Sequence, residues 1–295
     1  MDSHIRVGLV GLGAMGRGMA SSLRRAGYSL VVCDARPEVA QAFAAEGGRA
    51  CATAAELGAL CDVVISVVVN AAQTESVLFG ANGAAAAMRP GSLFIMCSTV
   101  DPNWSAALEG RMDALGLRYL DAPISGGAAR AAAGQITMMT SGRAEAYTQA
   151  DPILAAMAAK VYRLGDRAGL GSKVKIINQL LAGVHIAAAA EAMALGLREG
   201  VAAEDLYEVI THSAGNSWMF ENRMAQVVAG DYTPHSAVDI FVKDLGLVLD
   251  TARASKFPLP LAATAHQMFM QASSAGFGGE SDAAVIKTFP GIKLP

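Results

Sequence analysis

Residues 169–200 read GLGSKVKIINQLLAGVHIAAAAEAMALGLREG, and the rest of the chain is organised around them. Almost every residue here favours a helix, with Gly and Ser at the front and Gly200 at the back. At about 1.5 Å per residue the helix would be on the order of 40 Å long. We therefore predict a single helix that runs through one domain and docks on another.

Three polar side chains, Lys175, Asn178 and Gln179, interrupt the apolar front half of this helix. Offsets of three and four residues place them on one helical face, whereas Lys173 points elsewhere. Burying them unpaired would be costly, so they indicate a functional face. Two alternatives are a core helix whose polar face meets water and a membrane span of roughly twenty apolar residues. The polar cluster and the nucleotide-binding motif upstream argue against the span.

The composition excludes several classes of protein. A chain of 295 residues suits one large or two ordinary domains, and 53% hydrophobic residues can form a large core. The formal net charge is −3 and no basic run occurs, so nucleic acid and anionic membranes are poor partner candidates.

The four cysteines show no metal-binding or redox spacing. We interpret them as small buried hydrophobic residues in a reducing compartment, and we expect no metal site: Cys33, Cys51, Cys61 and Cys97. A strand begins already at Ile5, so no signal peptide is expected and the predicted location is cytoplasmic.

A glycine-rich motif, GLGAMG at residues 11–16, follows a predicted strand at 5–10 and opens a predicted helix that ends near Ala26. In this context Gly11 allows the tight turn, Gly13 leaves room for a pyrophosphate, and Gly16 lets the helix pack close to the strand. The N–H groups at the helix start would face the phosphates. The predicted cofactor-binding backbone is that of Gly11, Gly13, Ala14, Met15 and Gly16.

The next predicted strand, residues 29–33, ends in Asp34, where a ribose-binding carboxylate is expected. A carboxylate accepts hydrogen bonds from the ribose 2′-hydroxyl and repels a 2′-phosphate, which favours NAD. Ala35 carries no charge for a phosphate. Arg36 could support NADP, and that alternative stays open.

Strands and helices continue to alternate, which predicts a Rossmann-type, doubly wound parallel sheet in an α/β domain. Apolar strands are predicted at 62–69, 92–96 and 117–122, with two more at 136–141 and 160–164. Ligands of such sheets bind beyond the carboxyl ends of the strands. Besides the glycine-rich turn and Asp34, the residues expected there are Asn70, Thr99, Ser125, Gly126 and Gly127.

The second half of the chain contains no βαβ pattern. Helices are predicted at 204–213, 218–229, 237–255 and 259–275, with prolines between some of them. We therefore predict a dinucleotide-binding domain at 1–165 and an all-α domain at 166–295 that serves the substrate and oligomerisation.

Three short segments have two interpretations each. Ser125-Gly126-Gly127 can cradle a carboxylate with its N–H groups or form a simple turn. Asn216 and Ser217 head a helix, where a cap is more common than a ligand site. Lys243 and Asp244 could face a cleft or form a solvated surface.

Four segments together resemble the β-hydroxyacid dehydrogenase family, of which 3-hydroxyisobutyrate dehydrogenase is the familiar member. They occur in the family's order and span nearly the whole chain: GLVGLGAMG at 8–16, DAPISGG at 121–127, GLGSKVKIIN at 169–178 and KDLGL at 243–247. Many members carry Asn-Asn where this chain has Asn178-Gln179. Within the family, segments 178–193, 214–223 and 232–247 resemble the L-threonate dehydrogenase branch.

This resemblance implies NAD-dependent oxidation of L-threonate at C2 to 2-dehydro-L-erythronate by a cytoplasmic homodimer or homotetramer. Lys175 would be the general acid and base, with a pKa lowered by an apolar cleft and the nicotinamide charge. Asn178 would hold the substrate hydroxyl or the amine in line.

The resemblance also implies roles for other residues. Ser125, Gly126 and Gly127 would bind the substrate carboxylate, with Lys243 closing over the site and contacting cofactor and substrate. Asp244 is a lesser candidate. Asn70 and Thr99 would flank the nicotinamide. Three further candidates for the substrate's extra hydroxyls are Asn216, Ser217 and His185, of which His185 could instead be a core histidine.

Two other functions compete with this one. A related enzyme would be an NADPH-dependent semialdehyde or glyoxylate reductase, for which the family signature is an Arg at the position of Ala35, or a 3-hydroxyisobutyrate-type dehydrogenase. A protein of another class would be a non-catalytic dinucleotide sensor on the same fold. Such a sensor would be expected to lack the lysine at 175, which this chain has.

Overall fold

The structure is a computed structural model that describes residues 5–295. The chain forms two compact units, Met1–Lys175 and Ile176–Pro295. The division falls inside the long helix, because the same helix supplies residues to both units. The limits predicted from the sequence, 1–165 and 166–295, stay a prediction.

A parallel sheet of six strands forms the centre of the first unit. Its strands are β1 (Val7–Val10), β2 (Leu30–Cys33), β3 (Arg49–Ala50), β4 (Val63–Ser66), β5 (Leu93–Met96) and β6 (Arg118–Asp121). The order is β3-β2-β1-β4-β5-β6, and every pairing is parallel. This is the strand order of a Rossmann fold, and the order reverses between β1 and β4, where such sheets bind their ligands. The predicted fold class is confirmed.

Helices cover the sheet and bury its two faces in separate apolar clusters. The helices of this unit are α1 (Ala14–Arg25), α2 (Pro37–Ala45), α3 (Ala54–Leu60), α4 (Ala71–Phe79), α5 (Pro102–Ala114), α6 (Gly127–Ala133) and α7 (Ala144–Met157). Met19 and Phe43 lie in one cluster, and Phe94 and Leu108 lie in the other. All four cysteines are buried and unpaired, as expected.

A second, smaller sheet follows the parallel one. It consists of β7 (Ile124–Ser125), β8 (Ile136–Thr140) and β9 (Ala158–Arg163), in the order β7-β8-β9. The two strands predicted near 136 and 160 are thus present, but they form their own sheet. Since β7 pairs antiparallel with β8, the chain reverses direction between these two strands, over the segment that contains α6.

The second unit is helical, as predicted. After α8 (Leu170–Arg198) come α9 (Ala203–Thr211), α10 (Trp218–Val228), α11 (Val238–Ala254) and α12 (Pro260–Ala272), then a π-helical turn (Ser273–Phe277) and a 3₁₀-helix (Asp282–Thr288). Phe220, Phe241 and Phe269 are buried in its core. A buried ion pair between Arg223 and Asp282 joins α10 to the 3₁₀-helix.

Helix α8 passes a length and hydropathy test for a membrane span, and it does so alone among helices in residues 5–295. Core helices of soluble proteins pass the same test, and 44% of the tested segment is buried against protein. This helix begins in the first unit and continues into the second, which suits a core helix.

Candidate active site

The glycine-rich turn has the geometry that its sequence predicts. Gly11 has a φ of +95°, and a Cβ there would lie 2.4 Å from the carbonyl oxygen of Val67. A Cβ on Gly16 would lie 1.8 Å from the carbonyl oxygen of Gly11. Nothing lies within 4 Å of a Cβ on Gly13. Gly11 and Gly16 are thus required by the fold itself, while the backbone at Gly13 is open to a ligand.

Asp34 ends β2 beside this turn and holds it. Its carboxylate accepts a hydrogen bond from the Leu12 N–H at 2.6 Å and one from the Arg36 N–H at 3.0 Å. The Arg36 guanidinium lies 3.4 Å away. Burial raises the pKa of Asp34, but these donors outweigh burial, so the pKa lies below its usual value. An ionised carboxylate at this strand end suits a ribose hydroxyl.

Asn70 and Thr99 follow the neighbouring strands β4 and β5. The Asn70 side chain accepts from the Gln73 N–H at 2.8 Å and caps α4, while the Gln73 side chain accepts from the Val69 N–H at 2.8 Å. This arrangement resembles a capping box, with the difference that the Gln73 side chain accepts from the residue before the cap. Asn70 therefore has a structural task in addition to any contact with a cofactor. Thr99 is half-buried just after β5.

The Ser-Gly-Gly segment lies at the start of α6. Ser125 belongs to β7, whereas Gly126 and Gly127 have φ values of +134° and +76°. Side chains other than hydrogen are strained in this region, so the segment depends on its glycines. Two successive residues with positive φ redirect the chain into a helix whose first N–H groups have no partner within that helix.

Asp121 is a polar residue that the sequence analysis did not single out beyond quoting its motif. It ends β6, is fully buried, and accepts from the Gly169 N–H and the Ser172 N–H, both at 2.9 Å. The hydroxyl of Ser172 donates at 2.7 Å and that of Ser141 at 3.1 Å. The signal that could have revealed it is an aspartate at the end of an otherwise apolar strand.

Lys175 lies three residues after Ser172 on α8 and is 6% exposed. Lys175 and Gln179, two of the three polar residues on the predicted functional face, are thus buried rather than exposed to solvent. Asn178 follows one turn later and is half-buried, while Lys173 is exposed. Burial of a lysine is costly unless the protein provides for its charge.

A series of polar contacts in the second unit connects α8 to α11. Asn178 donates to the Gln179 side chain at 3.1 Å, and Gln179 donates to Asp244 at 2.6 Å. Lys243 lies 2.5 Å from the same carboxylate. Asp244 is 2% exposed, so the interpretation of Lys243-Asp244 as a solvated surface is wrong for Asp244. Gln179, whose task the sequence left open, orients Asp244.

The three candidates for the substrate's extra hydroxyls differ in outcome. Ser217 caps α10 by accepting from the Phe220 N–H at 3.0 Å. Asn216 donates to the Thr211 carbonyl at 3.0 Å and to Glu221 at 2.7 Å. His185 is exposed, so the core-histidine interpretation is wrong. These positions do not by themselves show contact with a substrate.

In the described part of the chain, no group of three or more His, Cys, Asp and Glu side chains could hold a metal ion. Burial raises the pKa of Cys33 to about 11 and that of Cys61 to about 12. Thiols with such values are poor nucleophiles and poor metal ligands at neutral pH.

The fold and the glycine-rich turn define a dinucleotide-binding oxidoreductase. The family model for the NAD binding domain of 6-phosphogluconate dehydrogenase matches residues 6–165. The model for the NAD-binding domain of NADP-dependent 3-hydroxyisobutyrate dehydrogenase matches residues 169–289. The chain belongs to the β-hydroxyacid dehydrogenase family, whose enzymes act on the CH–OH group of hydroxy acids, as the resemblance implied.

Individual proteins of the family show higher similarity to this chain. L-threonate dehydrogenase from Cupriavidus necator is 70% identical over 289 residues, which cover 98% of this chain and 97% of the relative. L-threonate dehydrogenase from Escherichia coli K12 is 53% identical, with 99% and 97% covered. A crystal structure of 3-hydroxyisobutyrate dehydrogenase from Salmonella typhimurium is 55% identical and has a TM-score of 0.93, with 97% and 100% covered.

Proposed function

We propose that this enzyme oxidises the C2 hydroxyl of L-threonate to 2-dehydro-L-erythronate with NAD. The similarity to two L-threonate dehydrogenases over nearly the whole chain supports the substrate. The observation that carries the chemistry is the buried Lys175 on α8, one turn before Asn178. A buried amine can exchange a proton with an alcohol out of bulk water.

In this proposal the Lys175 Nζ takes the proton from the C2 hydroxyl while the C2 hydrogen leaves as hydride. A nicotinamide bound there would supply the acceptor for that hydride. Asn178 holds the hydroxyl or the amine in line, so that the O–H bond points at the Lys175 nitrogen. In the reverse direction the protonated Lys175 returns the proton to the forming alkoxide.

The residues proposed to hold the cofactor fit a dinucleotide. The open backbone at Gly13 can admit a pyrophosphate at the start of α1. Asp34 would accept from the adenosine ribose. The Asp34 carboxylate would repel a 2′-phosphate, which supports NAD over NADP. Asn70, Thr99 and Lys243 are proposed to contact the nicotinamide half, and Ala14 and Met15 the phosphates.

The substrate carboxylate is proposed to bind at Ser125, Gly126 and Gly127, with Lys243 as a further contact. A cytoplasmic homodimer or homotetramer is also proposed. An exposed apolar stripe at helical spacing on α8 supports self-association: Leu170, Val174, Ile177 and Leu181. The molar mass in solution, measured by light scattering, tests the oligomer, and a monomer at micromolar concentration would contradict it.

A substrate panel tests the identity of the acid and the cofactor. Turnover would be compared for L-threonate, D-threonate, both erythronates, 3-hydroxyisobutyrate and D-glycerate, each with NAD and with NADP. We expect the highest kcat/KM for L-threonate with NAD. A higher value for 3-hydroxyisobutyrate, or a clear preference for NADP, would overturn the substrate or the cofactor proposal respectively.

Lys175→Ala tests the chemistry. We expect kcat to fall by about 10²–10⁴-fold, as is typical for loss of a general acid-base group, with little change in NAD affinity. Lys173→Ala is the matched control, because Lys173 is exposed on the same helix. Near-normal turnover of Lys175→Ala would refute the mechanism.

A further inference from the structure

The start of α8 is held by side chains from two other parts of the first unit. The first turn of any helix has N–H groups without a partner in the helix. Here Asp121 accepts from the Gly169 and Ser172 N–H groups, and the Ser141 hydroxyl accepts from the Gly171 N–H at 2.9 Å. These three N–H groups at the start of the helix are thus satisfied by one residue at the end of β6 and one just after β8.

The Asp121 carboxylate accepts three hydrogen bonds at Oδ2 and one at Oδ1. All four of its side-chain bonds come from donors, two N–H groups and two hydroxyls. This is the bonding of an ionised carboxylate, which accepts and never donates. Burial raises the pKa of Asp121, and the four donors oppose that effect. The positive end of the helix dipole also favours a negative charge here.

The surrounding backbone leaves this arrangement little freedom. Gly169 has a φ of +106°, and a Cβ there would lie 2.9 Å from the Pro102 carbonyl oxygen. A Cβ on Gly171 would lie 2.4 Å from the Met139 carbonyl oxygen and 3.1 Å from Asp121. The first turn of α8 therefore packs directly against the backbone of neighbouring segments. This packing limits both rotation of the helix about its axis and its displacement along that axis.

Lys175 follows Ser172 by three residues, a rise of about 4.5 Å along the helix. Any shift of the first turn therefore reaches Lys175 directly. Asp121 is also four residues before Ser125 on the same segment. The segment that bonds the start of α8 therefore leads directly into the proposed carboxylate-binding residues.

We propose that Asp121, acting through Ser172, is a positioning residue that fixes the register of α8 and thereby aims Lys175 at the substrate hydroxyl. This inference rests on the proposed function of Lys175. Asp121 itself touches neither substrate nor cofactor. A displacement of about 1 Å in a reacting group can cost about 10²-fold in rate, so loss of this anchor lowers kcat rather than cofactor binding.

The test is a double-mutant cycle with Ser172→Ala, Lys175→Ala and the double variant. It measures kcat and KM for the best substrate of the panel, at enzyme concentrations high enough to follow residual turnover. Ser172→Ala deletes the 2.7 Å bond to Asp121 and leaves the backbone bonds in place. We expect kcat to fall about tenfold with lysine present and not to fall further in the Lys175→Ala background. KM for NAD should stay unchanged in both.

Thr53→Ala is the control for loss of a hydroxyl elsewhere in the unit, where the Thr53 side chain caps α3 by accepting from the Glu56 N–H at 3.1 Å. It should lower thermal stability and leave kcat unchanged. Asp121→Asn should have the larger effect, about 10²-fold in kcat.

The outcomes separate the two proposals. If Lys175→Ala keeps near-normal turnover, the proposed chemistry fails. If Lys175→Ala lowers kcat strongly but Ser172→Ala lowers kcat by the same factor in both backgrounds, the chemistry stands and the positioning role is overturned. Unchanged kcat in Ser172→Ala would overturn the positioning role as well.

Discussion

Asp34 and Asp121 occupy equivalent places in the sheet and have opposite environments. Each is an aspartate at the carboxyl end of a parallel strand, β2 for Asp34 and β6 for Asp121. Asp34 is partly open, and its donors hold its pKa below the usual value. Asp121 is fully buried, and burial raises its pKa.

This difference shows that topology alone does not assign a strand-end carboxylate to a ligand. Asp34 bonds the glycine-rich turn through the Leu12 N–H, and its side chain is 9% exposed. The carboxylate oxygens of Asp121 accept hydrogen bonds from the first turn of α8. Of the two, the open residue suits binding and the closed residue suits positioning.

The turn that Asp34 holds can be broken at Gly16. Because an added Cβ would overlap the Gly11 carbonyl oxygen at 1.8 Å, we expect Gly16→Ala to lower the free energy of unfolding by about 3 kcal/mol and to abolish NAD binding. Gly13→Ala is the matched control. It should unfold like the wild type in urea and only weaken NAD binding, since no protein atom lies within 4 Å of the new methyl group.

The closed environment of Asp121 can be broken with Asp121→Asn. The amide NH₂ would face N–H and hydroxyl donors, so buried donors would lose their acceptor. We expect the free energy of unfolding to fall by about 3 kcal/mol, as for loss of several charge-assisted bonds with partial relaxation. Urea titration measures it, and a change below about 0.5 kcal/mol would contradict the closed network.

The open environment of Asp34 can be tested with Asp34→Asn. Loss of a charge-assisted bond to the ribose should raise the Kd for NAD by about tenfold or more and leave that for NADP unchanged or lower. Arg36→Ala is the companion variant. Its guanidinium is mostly exposed, so we expect only a small change in stability. Equal losses for both cofactors in Asp34→Asn would argue against a ribose contact.

A smaller effect concerns pH. The pKa of Asp34 is lower in the folded protein than its ordinary value of 3.8, so its ionised form stabilises the fold above that value. This stabilisation is lost as the pH falls through the folded pKa. The difference in urea midpoint between wild type and Asp34→Asn should therefore narrow below about pH 4. A difference that widens on acidification would show that the sign is wrong.

The regular elements were predictable from sequence because each carries a local signal. The alternation of apolar strands with helices and the glycine-rich turn indicated the sheet. Prolines at 258 and 260 marked the start of α12. The two-residue strands β3 and β7 were not predicted, since so short a segment has no periodicity. Their formation depends on neighbours, β2 for Arg49–Ala50 and β8 for Ile124–Ser125.

Site prediction followed the same division. Lys175 and Asp34 could be proposed as site residues from the sequence because a spacing or a motif marks them. Asp121 and Gln179 were assigned no task because their partners are distant in sequence, Ser172 for one and Asp244 for the other. Burial also could not be read locally: His185 is exposed and Asp244 is buried, although each sits in a helix with apolar neighbours.

The most direct test compares the Kd for NAD and the kcat of Asp34→Asn and Asp121→Asn side by side. The account predicts that Asp34→Asn weakens NAD binding and keeps kcat near normal at saturating NAD. It predicts that Asp121→Asn keeps the Kd for NAD within about twofold and lowers kcat by about 10²-fold. If both variants change the same parameter, the two carboxylates do not have the separate tasks assigned to them.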